Sequence, residues 1–184
     1  VKSIYLAGPE VFLPHAVAAG EAKKALCQQY GFEGLYPLDN EISGSDGKSL
    51  AFAISRENEN LIRCADIIIA NLTPFRGASA DAGTVYELGL ARGLNKVLAG
   101  YSNTTILFAQ RSWELYGAGD EQTAELHDRD GMSVENFGLH DNLMIEGGIK
   151  QSGGIFISNH ARETERFTDL SAFEQVLKRL AEYS

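Results

Sequence analysis

Eight residues, Ala65-Asp66-Ile67-Ile68-Ile69-Ala70-Asn71-Leu72, constrain this chain more than any other stretch. Four consecutive apolar residues follow Asp66, and three of them are β-branched, which suits a pleated strand. A strand apolar at every position has no face for water, so the segment predicts the buried centre of a parallel sheet. Shorter strands are expected at Ile4-Tyr5-Leu6-Ala7, ended by Gly8-Pro9, over Phe32 to Leu38, at Lys96-Val97-Leu98-Ala99 and at Ile155-Phe156-Ile157. Helical spacing separates them. From Pro14 to Tyr30 the repeating positions are His15, Ala18, Ala19, Ala22, Ala25, Leu26 and Tyr30, with Gly31 as a C-cap. Further helices are expected over Leu50–Arg63, Thr84–Gly93 and Asp169–Tyr183.

This alternation predicts an α/β fold: one domain over 1–184, with a mostly parallel, Rossmann/flavodoxin-like five-stranded sheet and helices on both faces. In such sheets ligands bind beyond the strand C-termini, so the loops after Ala7, Leu38, Leu72 and Ala99 should meet at one crevice. Asp39 to Gly47 reads as a polar, Gly-rich loop and residues 73 to 83 as another. The segment 101–148 is irregular, with a helix over Thr104–Gly117 and a polar, exposed stretch from Asp120 to Gly131.

Charge narrows the partners. Twenty-five acidic against sixteen basic residues give a net charge of -9 with no Lys/Arg block, which argues against nucleic acid and favours a small neutral or cationic ligand. No apolar run approaches the roughly 20 residues of a membrane span, and none near Val1 suits a signal peptide, so a cytoplasmic protein with no membrane partner is expected. Cys27 and Cys64 stand alone in separate segments and read as buried, reduced thiols. His15, His127, His140 and His160 lack HxH or HExxH spacing, and neither GxGxxG nor GxxxxGK[ST] occurs. No metal or other cofactor is expected.

The chemistry concentrates between Ala70 and Gly89. Glu87 carries two readings. Thr84-x-x-Glu87 is the pattern of a capping box, in which hydroxyl and carboxylate satisfy amides at a helix start. Alternatively, a carboxylate near a helix N-terminus stays ionised and oriented at the crevice mouth, as a nucleophile requires. Asp81 precedes Gly83, whose freedom would allow a sharp turn bringing both carboxylates to one pocket. Asn58 upstream and Asp141-Asn142 downstream extend the constellation, although Asp141 or Asn142 could equally cap a helix running through Leu143, Met144 and Ile145. Phe12, Phe52 and Trp113 are candidates for stacking on an aromatic ligand, or plain packing residues.

Taken together, Tyr5-Leu6-Ala7-Gly8-Pro9, Tyr36-Pro37-Leu38-Asp39, Ala65 to Leu72 leading to Arg76-Gly77, Asp81-x-Gly83-Thr84-x-x-Glu87-Leu88-Gly89, and Phe137-Gly138-Leu139 followed by Asp141-Asn142-Leu143-Met144 resemble the nucleoside 2-deoxyribosyltransferase family. The resemblance spans residues 4 to 144. It implies that Glu87 is the nucleophilic glutamate and Asp81 the aspartate that contacts the deoxyribose hydroxyls and helps manage the leaving base. It further implies that Tyr5 lies near the substrate, that the Gly8-Pro9 turn shapes the pocket floor, and that Asp39 belongs to the substrate-binding segment. Asn58 would occupy a pocket position that is acidic in some relatives, and Glu41 a position where some carry a base-contacting glutamine.

Asp141, Asn142 and Met144 resemble the segment that a neighbouring subunit contributes to the 5-prime end of the sugar. A homo-oligomer, either a dimer or dimers stacked into a hexamer, would follow. The implied reaction moves a 2-deoxyribosyl group between purine and pyrimidine bases through a covalent glutamyl intermediate, with retention. The partners would be 2-prime-deoxynucleosides and free nucleobases. Two alternatives are a deoxynucleoside (5-prime-monophosphate) N-glycoside hydrolase, for which Arg76 could reach a phosphate, and a non-catalytic nucleotide-sensing domain.

Overall fold

The computed structural model describes residues 1–39, 46–117 and 125–182. Five strands, β1 (Ser3–Ala7), β2 (Glu33–Leu35), β3 (Ile67–Asn71), β4 (Val97–Ser102) and β5 (Ile155–Ser158), form one sheet in the order β2-β1-β3-β4-β5. Every pairing is parallel, with Tyr5 beside Ile68, Ala7 beside Ala70 and Asn71 beside Tyr101. The expected α/β architecture is present. Its strand order reverses between β1 and β3, and their C-terminal ends open the crevice where such folds take ligands.

Alternation along the strands assigns each helix to a face. Ile4, Leu6, Ile67, Ile69, Ala99 and Tyr101 pack with α1 (Ala16–Gln29) and α6 (Ser171–Glu182). Tyr5, Ala7, Ile68, Ala70 and Leu98 pack with α2 (Gly47–Cys64), α3 (Ala82–Gly93) and α5 (Leu143–Gln151). The isoleucines of β3 are at most 4% exposed, and each contributes roughly 1.5–3 kcal/mol of burial. The run read as central is therefore the spine of both cores.

Several boundaries differ from expectation for local reasons. In α1 the fully buried positions are Ala16, Gly20, Lys23 and Cys27; of the expected stripe, Ala19, Leu26 and Tyr30 are partly buried, with Leu26 and Tyr30 packed on the core, while His15, Ala18, Ala22 and Ala25 are exposed. Hydropathy points to one edge of the buried face because its centre carries a lysine and a glycine. The extended run from Phe32 shortens to Glu33–Leu35, since Asp39 accepts a 2.8 Å hydrogen bond from the Tyr36 amide and folds residues 36–39 into a turn. Asp46 is the N-cap of α2, accepting from Ser49 N at 2.7 Å, so the helix begins in the supposed loop. The remaining loop residues 40–45, including Glu41, lie outside the described residues.

The helix read over Thr104–Gly117 is confined to α4 (Phe108–Tyr116). In the stretch from Asp120 to Gly131, residues 118–124 are outside the described set, while Leu126 is buried and His127 bridges to Ser133. Tyr183 likewise lies outside it. Cys27 is buried, which pushes its thiol up to about 12, but Cys64 is exposed at the end of α2, contrary to the expectation of two buried thiols. No helix among the described residues is long and apolar enough to cross a membrane.

Gly20 shows how tightly α1 sits. A β-carbon there would lie 2.4 Å from the Tyr36 ring. Alanine normally stabilises a helix interior by about 1 kcal/mol over glycine, but overpacking of this kind costs about 1–3 kcal/mol. Gly20→Ala should therefore lower the free energy of unfolding in a urea titration; an unchanged or higher value would contradict the packing described.

Candidate active site

Three elements place one side chain each at the crevice. Tyr5 of β1 is completely buried, and its hydroxyl donates a 2.6 Å hydrogen bond to Oε1 of Glu87 on α3. Asn58 of α2 approaches the same oxygen with Nδ2 at 3.5 Å. Glu87 Oε2 makes no hydrogen bond among the described residues. One carboxylate oxygen is thus held and the other is open.

Asp81, not Thr84, begins α3: it is the N-cap, and its Oδ2 accepts from Thr84 N at 2.9 Å and Thr84 Oγ1 at 3.1 Å. The capping box read from Thr84 and Glu87 is therefore absent. Glu87 lies a turn and a half into the helix, where its carboxylate has no amide to cap. Gly83 is within the first helical turn and makes no sharp bend. The helix itself brings the two carboxylates together.

The electrostatics follow from burial. Desolvation pushes the Glu87 carboxyl up to about 7; the hydrogen bond from Tyr5 opposes this, the nearby negative charge of Asp81 adds to it, and Asn58 opposes it. Burial and the Glu87 charge raise the Tyr5 phenol far above its ordinary range, so it remains a donor. The expectation that a helix N-terminus keeps Glu87 fully ionised gives way to a carboxyl poised near neutrality.

Gly8 and Pro9 are buried at the base of the crevice and lead into a 3-10 turn over Pro9–Phe12. A β-carbon at Gly8 would meet Glu10 Oε2 at 2.0 Å and Asn71 Cβ at 2.9 Å, so only glycine permits this close approach. Phe12 is 56% exposed and stacks on Phe75 with ring centroids 5.3 Å apart. The Arg76 guanidinium lies over both rings, at 5.1 and 4.5 Å, and has no carboxylate partner among the described residues. Phe52 is 66% exposed on α2, and Trp113 is partly buried on α4.

The loop joining β3 to α3 is pinned from several sides. Asp141, 1% exposed, accepts from Ser79 Oγ, from Ala80 N at 2.8 Å and from Asn142 N at 2.7 Å. Arg111 donates to the carbonyls of Ala78 (2.8 Å), Ile106 and His140 (2.5 Å). Arg166 donates to the Pro74 carbonyl. Two cavities of about 540 and 530 Å³ share Arg76, Gly77 and Tyr116 as a common wall, and the second extends to Asp81. These volumes fall in the range of small-molecule sites.

The remaining candidates make no hydrogen bond to Glu87 among the described residues, and Met144 lines a cavity of about 400 Å³ with Val85, Leu88 and Gly89 of α3. Asp39 pairs with Lys24 at 2.6 Å besides holding the Tyr36 turn. Asn142 is the N-cap of α5, accepting from Met144 N at 3.0 Å, and its Nδ2 donates to Glu135 at 2.7 Å. Met144 is 74% exposed. No hydrogen bond joins Asn142 to Tyr5, Asn58, Asp81 or Glu87 among the described residues. Among these residues, too, no group of His, Cys, Asp and Glu could hold a metal ion.

Residues that the sequence did not single out are Glu10, Lys23, Phe75, Ser79 and Arg111. Lys23 had a signal, since it falls in step with Ala16, Gly20 and Cys27 on one helical face. Glu10 directly follows Gly8-Pro9. Nothing in the local pattern marks Arg111.

A carboxyl whose folded value is raised is stabilised when protonated and penalised when ionised. Wild-type stability from this group is present near the ordinary value of 4.5 and declines as pH rises through about 7. Glu87→Gln, which can still accept from Tyr5, should match wild type at pH 4, below the ordinary value, and exceed it at pH 8 by about 3 kcal/mol. Denaturant titrations at the two pH values check this. A helix-capping glutamate would show no such gain.

Comparison with known proteins bears on the whole arrangement. Residues 4–144 match the family model described as nucleoside 2-deoxyribosyltransferase. The structure described as 2-desoxiribosyltransferase from Leishmania mexicana is 35% identical, with a TM-score of 0.67, covering 100% of this chain and 99% of that one. An uncharacterised protein of Schizosaccharomyces pombe is 30% identical, covering 98% of this chain and 89% of its own length. A conserved protein from Enterococcus faecalis shares the fold at 18% identity and a TM-score of 0.55, covering 98% and 99% of the two chains. On the extent of the family match and the full-length likeness to the Leishmania structure, this chain belongs to the nucleoside 2-deoxyribosyltransferase family.

Proposed function

We propose that the protein transfers the 2-deoxyribosyl group of a 2-prime-deoxynucleoside to a second nucleobase, with Glu87 as the nucleophile. The observation that carries this reading is the half-held carboxylate. Tyr5 and Asn58 fix Oε1, while Oε2 is left for the substrate. In the first step Oε2 forms a bond to the anomeric carbon as the bond to the base nitrogen breaks and its electron pair leaves with the base. In the second, a new base attacks that carbon from the first face and releases the carboxylate, so configuration is retained. An anionic carboxylate also stabilises the positive charge that develops on the sugar ring.

Asp81 suits contact with a sugar hydroxyl. Its Oδ2 is committed to Thr84, while no hydrogen bond occupies Oδ1 among the described residues, which leaves that oxygen as an acceptor for a hydroxyl. The proton required by the leaving base then comes from solvent or a bound water. The Phe12–Phe75 stack offers an aromatic surface for the base. The net charge of -9 favours nucleosides over nucleotides. Asn142, half-buried, and Met144, exposed, make no hydrogen bond to Glu87 in their own chain among the described residues and are proposed to reach the sugar of a neighbouring subunit in a homo-oligomer.

Incubation with thymidine and adenine tests the reading. Deoxyadenosine should appear, and Glu87→Ala should remain folded without forming it. Thymine released without deoxyadenosine would instead indicate hydrolysis. The acid limb of kcat/KM should follow ionisation of Glu87, with an apparent value of about 7. Tyr5→Phe removes a bond that lowers that value, so its acid limb should move to higher pH and its rate at pH 7 should fall about tenfold. An unmoved limb would dissociate Tyr5 from the nucleophile.

A further inference from the structure

Beneath the crevice lies a buried polar network that the chemistry above does not use. Glu10 and Lys23 are each 1% exposed and form an ion pair. Glu10 Oε1 also accepts from Asn71 Nδ2 and from the Tyr101 hydroxyl, both at 2.9 Å. Among the described residues, Glu10 Oε2 and the Tyr36 hydroxyl have no hydrogen-bond partner, and Lys23 Nζ has none besides its ion-pair contact with Glu10 Oε1. The Lys23 ammonium rests near the rings of Tyr101 and Phe173, at 5.4 and 5.3 Å.

A buried ion pair is poor value as a source of stability, because desolvation offsets its attraction and packed apolar side chains serve as well. What Glu10 supplies that an apolar residue cannot is a link between two loops. It belongs to the Pro9–Phe12 turn, and Asn71 ends β3. Asn71 Oδ1 in turn accepts from Thr73 N at 3.0 Å and Thr73 Oγ1 at 2.6 Å, and Thr73 Oγ1 accepts from Asn103 N at 3.0 Å. Thr73 opens the loop that carries Phe75, Arg76 and Asp81. Among the described residues, Glu10 to Asn71 is the one hydrogen bond joining the two loops. The Phe12–Phe75 stack spans the same two loops and requires their register.

We propose that Glu10 and Lys23 are positioning residues, whose buried ion pair locks the Gly8–Phe12 turn to the Asn71–Thr73 loop entrance and so sets the aromatic platform for the nucleobase. Lys23 neutralises the carboxylate that must sit in the core to reach Asn71 and Tyr101. Gly8 is glycine because Glu10 occupies the space of its β-carbon. The proposal rests on the transferase reading, and its kinetic signature is affinity for the base, not the speed of the Glu87 chemistry.

Base exchange between thymidine and adenine, with folding checked by circular dichroism, tests it. Lys23→Met, which strands the Glu10 charge, should raise KM for both substrates about tenfold while kcat changes less than about threefold. Glu10→Gln combined with Lys23→Met removes both charges but keeps an acceptor for Asn71 and Tyr101, and should return KM to within about threefold of wild type. A folded Lys23→Met with wild-type KM, or a double variant as impaired as the single, overturns the proposal. If Lys23→Met does not fold, Glu10→Asp carries the same test: a raised KM at preserved kcat supports positioning and an unchanged KM refutes it. Wild-type protein that exchanges no base would remove the transferase reading and this inference with it, whereas exchange untouched by these variants removes the inference alone.

Discussion

The hydrogen bond from Tyr5 to Glu87 is the point at which the fold becomes chemistry. Tyr5 occupies a strand position whose neighbours on the same face, Ala7, Ile68 and Ala70, are plain core. Its ring is fixed by that packing, so the place of its hydroxyl is fixed by the sheet. Glu87 reaches it from a helix packed on the same face, and the 2.6 Å contact orients one carboxylate oxygen while the other is left open. The burial that makes the bond short also pushes the acid up to about 7. A group held partly against its preference for water is characteristic of sites where function is retained at the expense of stability.

Around that contact the structure invests in rigidity. The β3–α3 loop is gripped by Arg111, Asp141 and Arg166 from segments that are far away in sequence, and Asp81 terminates it as the cap of α3. A loop so restrained can present a carboxylate in one orientation without ordering it anew for each substrate. The buried Glu10 network extends the same logic to the opposite wall. Asp141 accepts hydrogen bonds from Ser79, Ala80 and Asn142 and so takes part in this restraint within its own chain.

Much of this was legible in the sequence where a local rule decided the outcome. The isoleucine run could only be a buried strand, and the order of strands and helices then gave the parallel sheet and its crevice. Glu87 and Asp81 stand out by chemistry, yet the helix begins at Asp81, three residues before the Thr84 of the capping-box pattern, because both are good N-cap residues and only the fold selects one. Only the edge of the buried face of α1, at Leu26 and Tyr30, is legible from hydropathy, because its centre holds Lys23, whose partner Glu10 lies thirteen residues earlier in another element. Arg111 and the Ser79–Asp141 contact arise from tertiary proximity across dozens of residues, for which no spacing rule exists. The sequence resemblance implies roles for Asn142 and Met144 that no hydrogen bond to Glu87 within the described chain accounts for.

The central claim is that Glu87 bonds transiently to the sugar. Protein mixed with a 2-prime-deoxynucleoside, quenched in acid during turnover and digested should yield the peptide containing Glu87 with the added mass of one deoxyribosyl group. The adduct should disappear when excess nucleobase is added before the quench. Rapid base exchange with that peptide unmodified at every quench time, or an adduct on a different residue, would contradict the account.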